Sequence, residues 1–105
     1  MSAIDWSQVI TAADKLPKEA DYAAAVQAHV DAAAQSRGYR DGFALAGYAT
    51  STVPTWAAEA AAFVAWRDAV WVYAHEQLAL VQAEARAQPP VEDLVAELPA
   101  IDWPE

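Results

Sequence analysis

The stretch PTWAAEAAAFVAWRDAVWVYAHEQLALVQAEARAQ, Pro54 to Gln88, decides the fold. After its first residue it contains neither glycine nor proline. Pro54 suits the first turn of a helix, and it holds the preceding Val53 in extended backbone. Pro89 and Pro90 end the run. The spacing predicts one long central helix over about residues 54–88, roughly 50 Å at 1.5 Å per residue. Placed at 100° per residue, Trp56, Phe63 and Val70 point in one direction. Val64, Trp71 and Leu78 form a row on one side of it, and Trp66, Tyr73 and Leu80 form a row on the other. Together they cover roughly 200° of the circumference, against the ~100° an ordinary surface helix presents. Glu59, Gln77 and Glu84 interrupt the Trp66 row, and a narrow sector keeps Asp68, His75, Glu76 and Arg86. Such a helix needs apolar neighbours on more than one side. Either the rest of the chain covers it, or one row, Trp66, Tyr73 and Leu80, faces a second chain, as aromatic interface anchors do.

Outward from that helix, the remaining segments are shorter. Trp6, Val9, Ile10 and Ala13 have helical spacing and predict a short N-terminal helix or arm over residues 1–16. Pro17 restarts the chain. Glu19 and Asp21 favour a helix N-terminus, and Tyr22, Val26, His29, Val30 and Ala33 share a face up to the stop at Gly38. A helix is expected over Pro17 to Arg37. Tyr39 to Thr52 holds Gly42 and Gly47, with room for a short helix through Phe43, Leu45, Ala46 and Tyr48, and Ala49 to Val53 reads as a loop. Val91, Leu94, Val95 and Leu98 mark a last short helix, Pro99 closes it, and residues 99–105 form a tail. The expectation is all-α: one helical domain over 1–105, a small bundle with shorter helices flanking the long one.

Arg67 falls inside the apolar arc. Asp68 points about 100° away, so a carboxylate from another segment is the expected partner of a structural ion pair. The other reading is a guanidinium whose stem is covered and whose head stays in water. Ala3-Ile4-Asp5-Trp6 near the start recurs as Ala100-Ile101-Asp102-Trp103 near the end. The repeat is either a coincidence of a biased composition or a pair of Ile-x-Trp hooks for similar apolar pockets.

Composition narrows the function classes. The 105 residues carry a formal net charge of −9, which disfavours phosphate-backbone contacts and anionic membrane surfaces. Roughly a quarter of the chain is alanine, so the larger buried surface must come from five Trp, four Tyr and two Phe. There is no Cys, which removes disulfides, thiolate catalysis and Cys-ligated zinc. His29 and His75 have no metal spacing, His75-Glu76 lacks a second His, and no phosphate-cradling glycine loop occurs. Neither a catalytic constellation nor a cofactor or metal site is expected. The N-terminus lacks the basic and apolar regions of a signal peptide, and the apolar stretch Ala60 to Ala74 is too short and too interrupted to span a bilayer.

The run Ala58-Glu59-Ala60 to Phe63-Val64-Ala65-Trp66-Arg67-Asp68-Ala69-Val70-Trp71 resembles the central segment of small proteins encoded by tailed phages and prophages of proteobacteria. The preceding Ser36-Arg37-Gly38-Tyr39 is similar to their Ala-Arg-Gly-Tyr-like element. Pro89, Glu92, Leu94, Glu97, Leu98 and Pro99 match their C-terminal pattern, and the closing Trp103-Pro104 is similar to a dipeptide of tail-fibre assembly proteins. The resemblance covers roughly Val30 to Pro104. It implies a setting, the tail fibre and its assembly, and brings no catalytic residues.

The expected function is a phage tail accessory protein: a helical adaptor or assembly chaperone that docks onto a tail-fibre or baseplate component. The expected contacts are Trp6, Trp66, Trp71, Tyr73, Leu80, Ile101 and Trp103. It would act in the host cytoplasm during assembly, without nucleic acid or membrane, and self-association into a homo-oligomer fits so small a chain. The rival readings are a permanent virion subunit of the tail or fibre and, more remotely, an acidic inhibitory phage protein.

Overall fold

The computed structural model describes residues 17–104. The predicted arm of residues 1–16, with Trp6, lies outside them. Among the described residues the chain is all-α. Its order is α1 (Glu19–Ser36), α2 (Gly42–Ala46), a 3₁₀ turn (Gly47–Thr50), α3 (Pro54–Gln82) and α4 (Val91–Glu97).

The local chemistry sets each boundary. Asp21 accepts the backbone N–H of Lys18 at 2.8 Å, closing the first turn of α1, while Glu19 and Asp21 face the positive end of its dipole. At the other end Gly38 takes φ +90°. The N–H of Tyr39 reaches the carbonyl of Ala34 at 3.2 Å and that of Gly38 reaches Gln35 at 2.9 Å, a Schellman cap. Asp41 caps α2 by accepting the N–H of Ala44 at 2.8 Å. Pro54 opens α3 after an extended Val53, as its ring requires.

The long helix is shorter than its sequence predicts. It ends at Gln82 rather than Gln88. The N–H of Ala85 turns back to the carbonyl of Leu80 at 2.8 Å and that of Glu84 to Val81 at 3.0 Å. This is a second Schellman cap, with Glu84 at φ +59° where glycine is usual. No glycine marks the stop, so the pattern runs through it. The turn lets residues 83–90 fold back along the helix: Arg86 donates to Gln77, and the hydroxyl of Tyr22 on α1 donates to the carbonyl of Pro89. The Tyr39–Thr52 segment is also more regular than expected, since the 3₁₀ turn extends to Thr50 within the predicted loop.

The core lies where α1, α2, α3 and the chain after α4 meet. Val26, Val30 and Ala34 recur every four residues on α1 and are buried. They meet Phe63, Trp66 and Val70 of α3, Leu45 of α2 and Leu98. Gly42 is where α2 presses closest. A Cβ there would lie 2.9 Å from Cζ of Phe63 and 3.1 Å from Oδ1 of Asp31, the same oxygen that accepts the Gly42 N–H at 2.9 Å.

Two backbone substitutions therefore shift thermal unfolding in opposite directions. Gly42→Ala forces a methyl into the Phe63 ring and is expected to destabilise by about 1–3 kcal/mol. Glu84→Gly relieves a left-handed residue and is expected to stabilise by about 0.5–1 kcal/mol after the added unfolded-state entropy. Each kcal/mol moves Tm by about 4–8 °C in a domain of this size. A Glu84→Gly protein that melts below the parent would show that the turn is not left-handed in solution.

Candidate interaction surface

The row expected to face a second chain is largely covered by this one. Trp66 is 7 % exposed, and its indole N–H donates to the carbonyl of Pro99 at 2.7 Å. Its ring lies against Phe63 at 5.9 Å and His29 at 5.7 Å between centroids. Tyr73 is half-buried and donates its hydroxyl to Glu97 at 2.7 Å. Leu80 alone in that row is exposed. Ile101 and Trp103 are half-buried against the core, and the Arg37 guanidinium lies 4.8 Å above the Trp103 ring. The C-terminal Ile-x-Trp hook thus seats in its own chain. Trp71 is half-buried and forms part of a groove wall. Trp6 is not among the described residues.

Arg67 corrects the expectation of a cross-segment ion pair. Its Nε and Nη2 donate to Oδ1 of the adjacent Asp68 at 3.1 and 3.0 Å, and both side chains are substantially exposed. Cβ directions 100° apart do not prevent two flexible side chains from bending together over the helix surface. A pair of this exposure contributes little to stability.

Two further groups of polar contacts between segments form at positions that interrupt the Trp66 row. Glu59 accepts the Tyr39 hydroxyl at 2.9 Å and pairs with Arg37 at 3.5 Å. Gln77 accepts from Arg86, whose Nη2 also reaches Glu97 at 2.5 Å. Burial, then the hydrogen bond to the Glu59 carboxylate, pushes Tyr39 up to about 12. The bond to Glu97 raises Tyr73, and the bonds from Arg86 and Tyr73 lower Glu97. The sequence signal for these latches was the carboxylate and amide set among apolar residues. What it lacked was the identity of the partners, which lie 9 to 24 residues away.

Among the described residues, two apolar features stand out besides the exposed Val72 and Leu80 of α3. The first is aromatic and was absent from the sequence-derived set. Phe43 on α2 is 86 % exposed, Trp56 in the first turn of α3 is 47 % exposed and Tyr48 on the 3₁₀ turn is 39 % exposed. Tyr48 meets Tyr39 at 5.5 Å and meets Trp56 edge-on at 5.6 Å. Gly42 and Leu45 occupy the inner face of α2, which leaves Phe43 pointing outward. Trp56 shares the angular direction of Phe63, but it lies two turns earlier, where Tyr48 of the 3₁₀ turn packs on it.

The second surface is a groove of about 300 Å³ between the start of α1, the C-terminal half of α3 and Pro89. Tyr22, Val26, Trp71, Leu78, Val81 and Leu94 form its apolar walls. Gln88 spans one edge, donating to the carbonyl of Pro17 at 2.7 Å. Among the described residues, no three His, Asp or Glu side chains converge as metal ligands, and no helix is long and apolar enough to cross a membrane. Comparison with protein-family models, with curated proteins and with solved structures finds no match.

The latches carry a pH dependence of known sign. The folded pKa of Tyr39 lies above its ordinary 10.0, so its bond contributes stability that is complete below pH 10 and lost as pH rises through about 12. Glu97 is lowered, so its contribution is present above the ordinary carboxylate range and lost as pH falls through the folded value. Alkaline titration followed by tyrosinate absorbance is expected to show a phenol ionising near pH 12 that disappears in Tyr39→Phe. An unchanged curve in that variant would mean that the Tyr39–Glu59 bond is not held in solution.

Proposed function

We propose that this chain is a non-catalytic helical docking protein of tailed phages. It acts as an adaptor or assembly chaperone that seats Phe43, Tyr48 and Trp56 in a cleft of a tail-fibre or baseplate protein. The observation that carries the reading is Phe43: a phenyl ring left 86 % exposed on a helix whose other face is buried. Burying such a ring is worth about 1.5–3 kcal/mol, and the folded chain leaves that free energy unused. Tyr48 and Trp56 are further exposed rings, in contact with each other, and Arg40, next to α2, carries a guanidinium on an 84 % exposed side chain. Trp, Tyr and Arg are the residues that dominate protein–protein hot spots. With a net charge of −9, a protein surface suits this patch better than a phosphate backbone does.

The setting rests on the resemblance of Val30 to Pro104 to small tail-fibre-associated phage proteins. The contact set differs from the sequence expectation. Trp66, Ile101 and Trp103 serve the chain's own packing, and the exposed end at α2 takes over their proposed role. The site of action would be the host cytoplasm during tail assembly.

The test is binding of the purified tail-fibre and baseplate proteins of the encoding phage to the parent, Phe43→Ala and Trp56→Ala proteins. Removing the exposed Phe43 is expected to leave stability within about 0.5 kcal/mol. Affinity is expected to fall about tenfold or more, as for a hot-spot residue. Unchanged affinity in both variants would overturn the assignment of this surface. A concentration-dependent dimer that Phe43→Ala dissolves would make the occupant a second copy of the chain instead. Detection of the chain in purified particles would replace the chaperone with a permanent virion subunit.

A further inference from the structure

The turn after α3 carries a conflict that a second copy of the chain can relieve. Ala83-Glu84-Ala85-Arg86-Ala87-Gln88 consists of strong helix formers without glycine or proline, yet the helix stops at Gln82. The stop is made by Glu84 at φ +59°, a conformation that costs free energy for a residue bearing a Cβ. We infer that residues 83–88 are a hinge. It straightens into α3 and carries residues 89–104 onto a second copy of the chain, whose own residues 89–104 return in exchange.

The hinge itself favours the exchange. When it is straight, residues 84–88 donate to carbonyls four residues back, and α3 lengthens by roughly 9 Å up to the break at Pro89. The fold-back gives up the bonds from Arg86 to Gln77 and Glu97, and that from Gln88 to the Pro17 carbonyl at 2.7 Å. These are exposed or partly exposed contacts, whose contribution is small. Short hinges held under strain are the ones that promote exchange of a segment between copies.

The segment beyond the hinge is equally suited to it. Leu94 and Leu98 are buried, Tyr73 donates to Glu97 at 2.7 Å, and the Trp66 indole donates to the Pro99 carbonyl at 2.7 Å. The Arg37 guanidinium covers the Trp103 ring. Each contact can form between two chains with the same partners and geometry, so a closed two-fold dimer needs no new complementary surface. In the monomer the segment competes as a tethered ligand at an effective concentration on the order of millimolar. Relief of two left-handed residues per dimer lowers the protein concentration at which exchange begins.

The test is refolding of the parent, Glu84→Gly and Glu84→Val proteins from urea at concentrations up to about millimolar, followed by light scattering. The parent is expected to form a dimer. Glu84→Gly eases the turn and weakens the straight helix, and is expected to reduce dimer affinity about a hundredfold. Glu84→Val, whose β-branched side chain resists positive φ, is expected to raise it. Nitrogen-labelled and carbon-labelled chains refolded together are expected to show a nuclear Overhauser effect from the Trp66 indole proton of one chain to Pro99 of the other. A parent that stays monomeric at every concentration overturns the inference. So does a dimer equally stable in Glu84→Gly, a dimer dissolved by Phe43→Ala, or a Trp66–Pro99 signal found only within one chain. The comparison of parent with Glu84→Gly decides the matter even where Glu84→Val does not fold. None of these outcomes depends on whether Phe43 binds a tail component.

Discussion

Trp66 is the junction on which the arrangement depends. Its indole is too large to be hidden by one neighbour, and its N–H must keep a hydrogen-bond partner once buried. Three separate segments meet those demands: His29 from α1, Phe63 from the preceding turn of α3, and the carbonyl of Pro99 from the chain after α4. Without that carbonyl the buried N–H would be unsatisfied, at a cost of about 1–3 kcal/mol. The returning C-terminal segment is thus a structural wrap around the long helix.

The same logic places the polar latches. An apolar helix with several sides to cover can be wrapped in more than one register, and hydrogen-bonded side chains at a few points select among them. Glu59 binds Tyr39 and Arg37 near one end, while Glu97 gathers Tyr73 and Arg86 towards the other. These contacts are partly exposed, so their energies are modest. Their value is directional, because each joins residues distant in sequence at one defined geometry.

Phe63, Trp66 and Val70 in the middle of α3 are buried, while its large exposed apolar side chains are Trp56 in the first turn and Val72 and Leu80 further along. Trp56 lies in the first turn of α3, and Phe43 and Tyr48 lie on the five-residue helix and the 3₁₀ turn that precede it. The groove lies towards the C-terminal end, where α3 and the start of α1 converge on Pro89. The exposed rings and the groove both depend on how far the short flanking segments reach along one long helix.

The helical class, the breaks at Pro54 and Gly38, the α1 stripe of Val26 and Val30, and the apolar girth of α3 were determined by the sequence alone. Each follows from local backbone chemistry or from a 100° periodicity that needs no knowledge of neighbours. The stop at Gln82 was not legible, because Glu84 adopts a left-handed conformation usually signalled by glycine. Nor was the interior place of Trp66 legible, or the exposure of Phe43. A core indole and an interface indole have the same spacing on a helical wheel. Only the tertiary structure, by bringing Pro99 back across α3 and turning Gly42 inward, decided which ring is buried and which faces solvent.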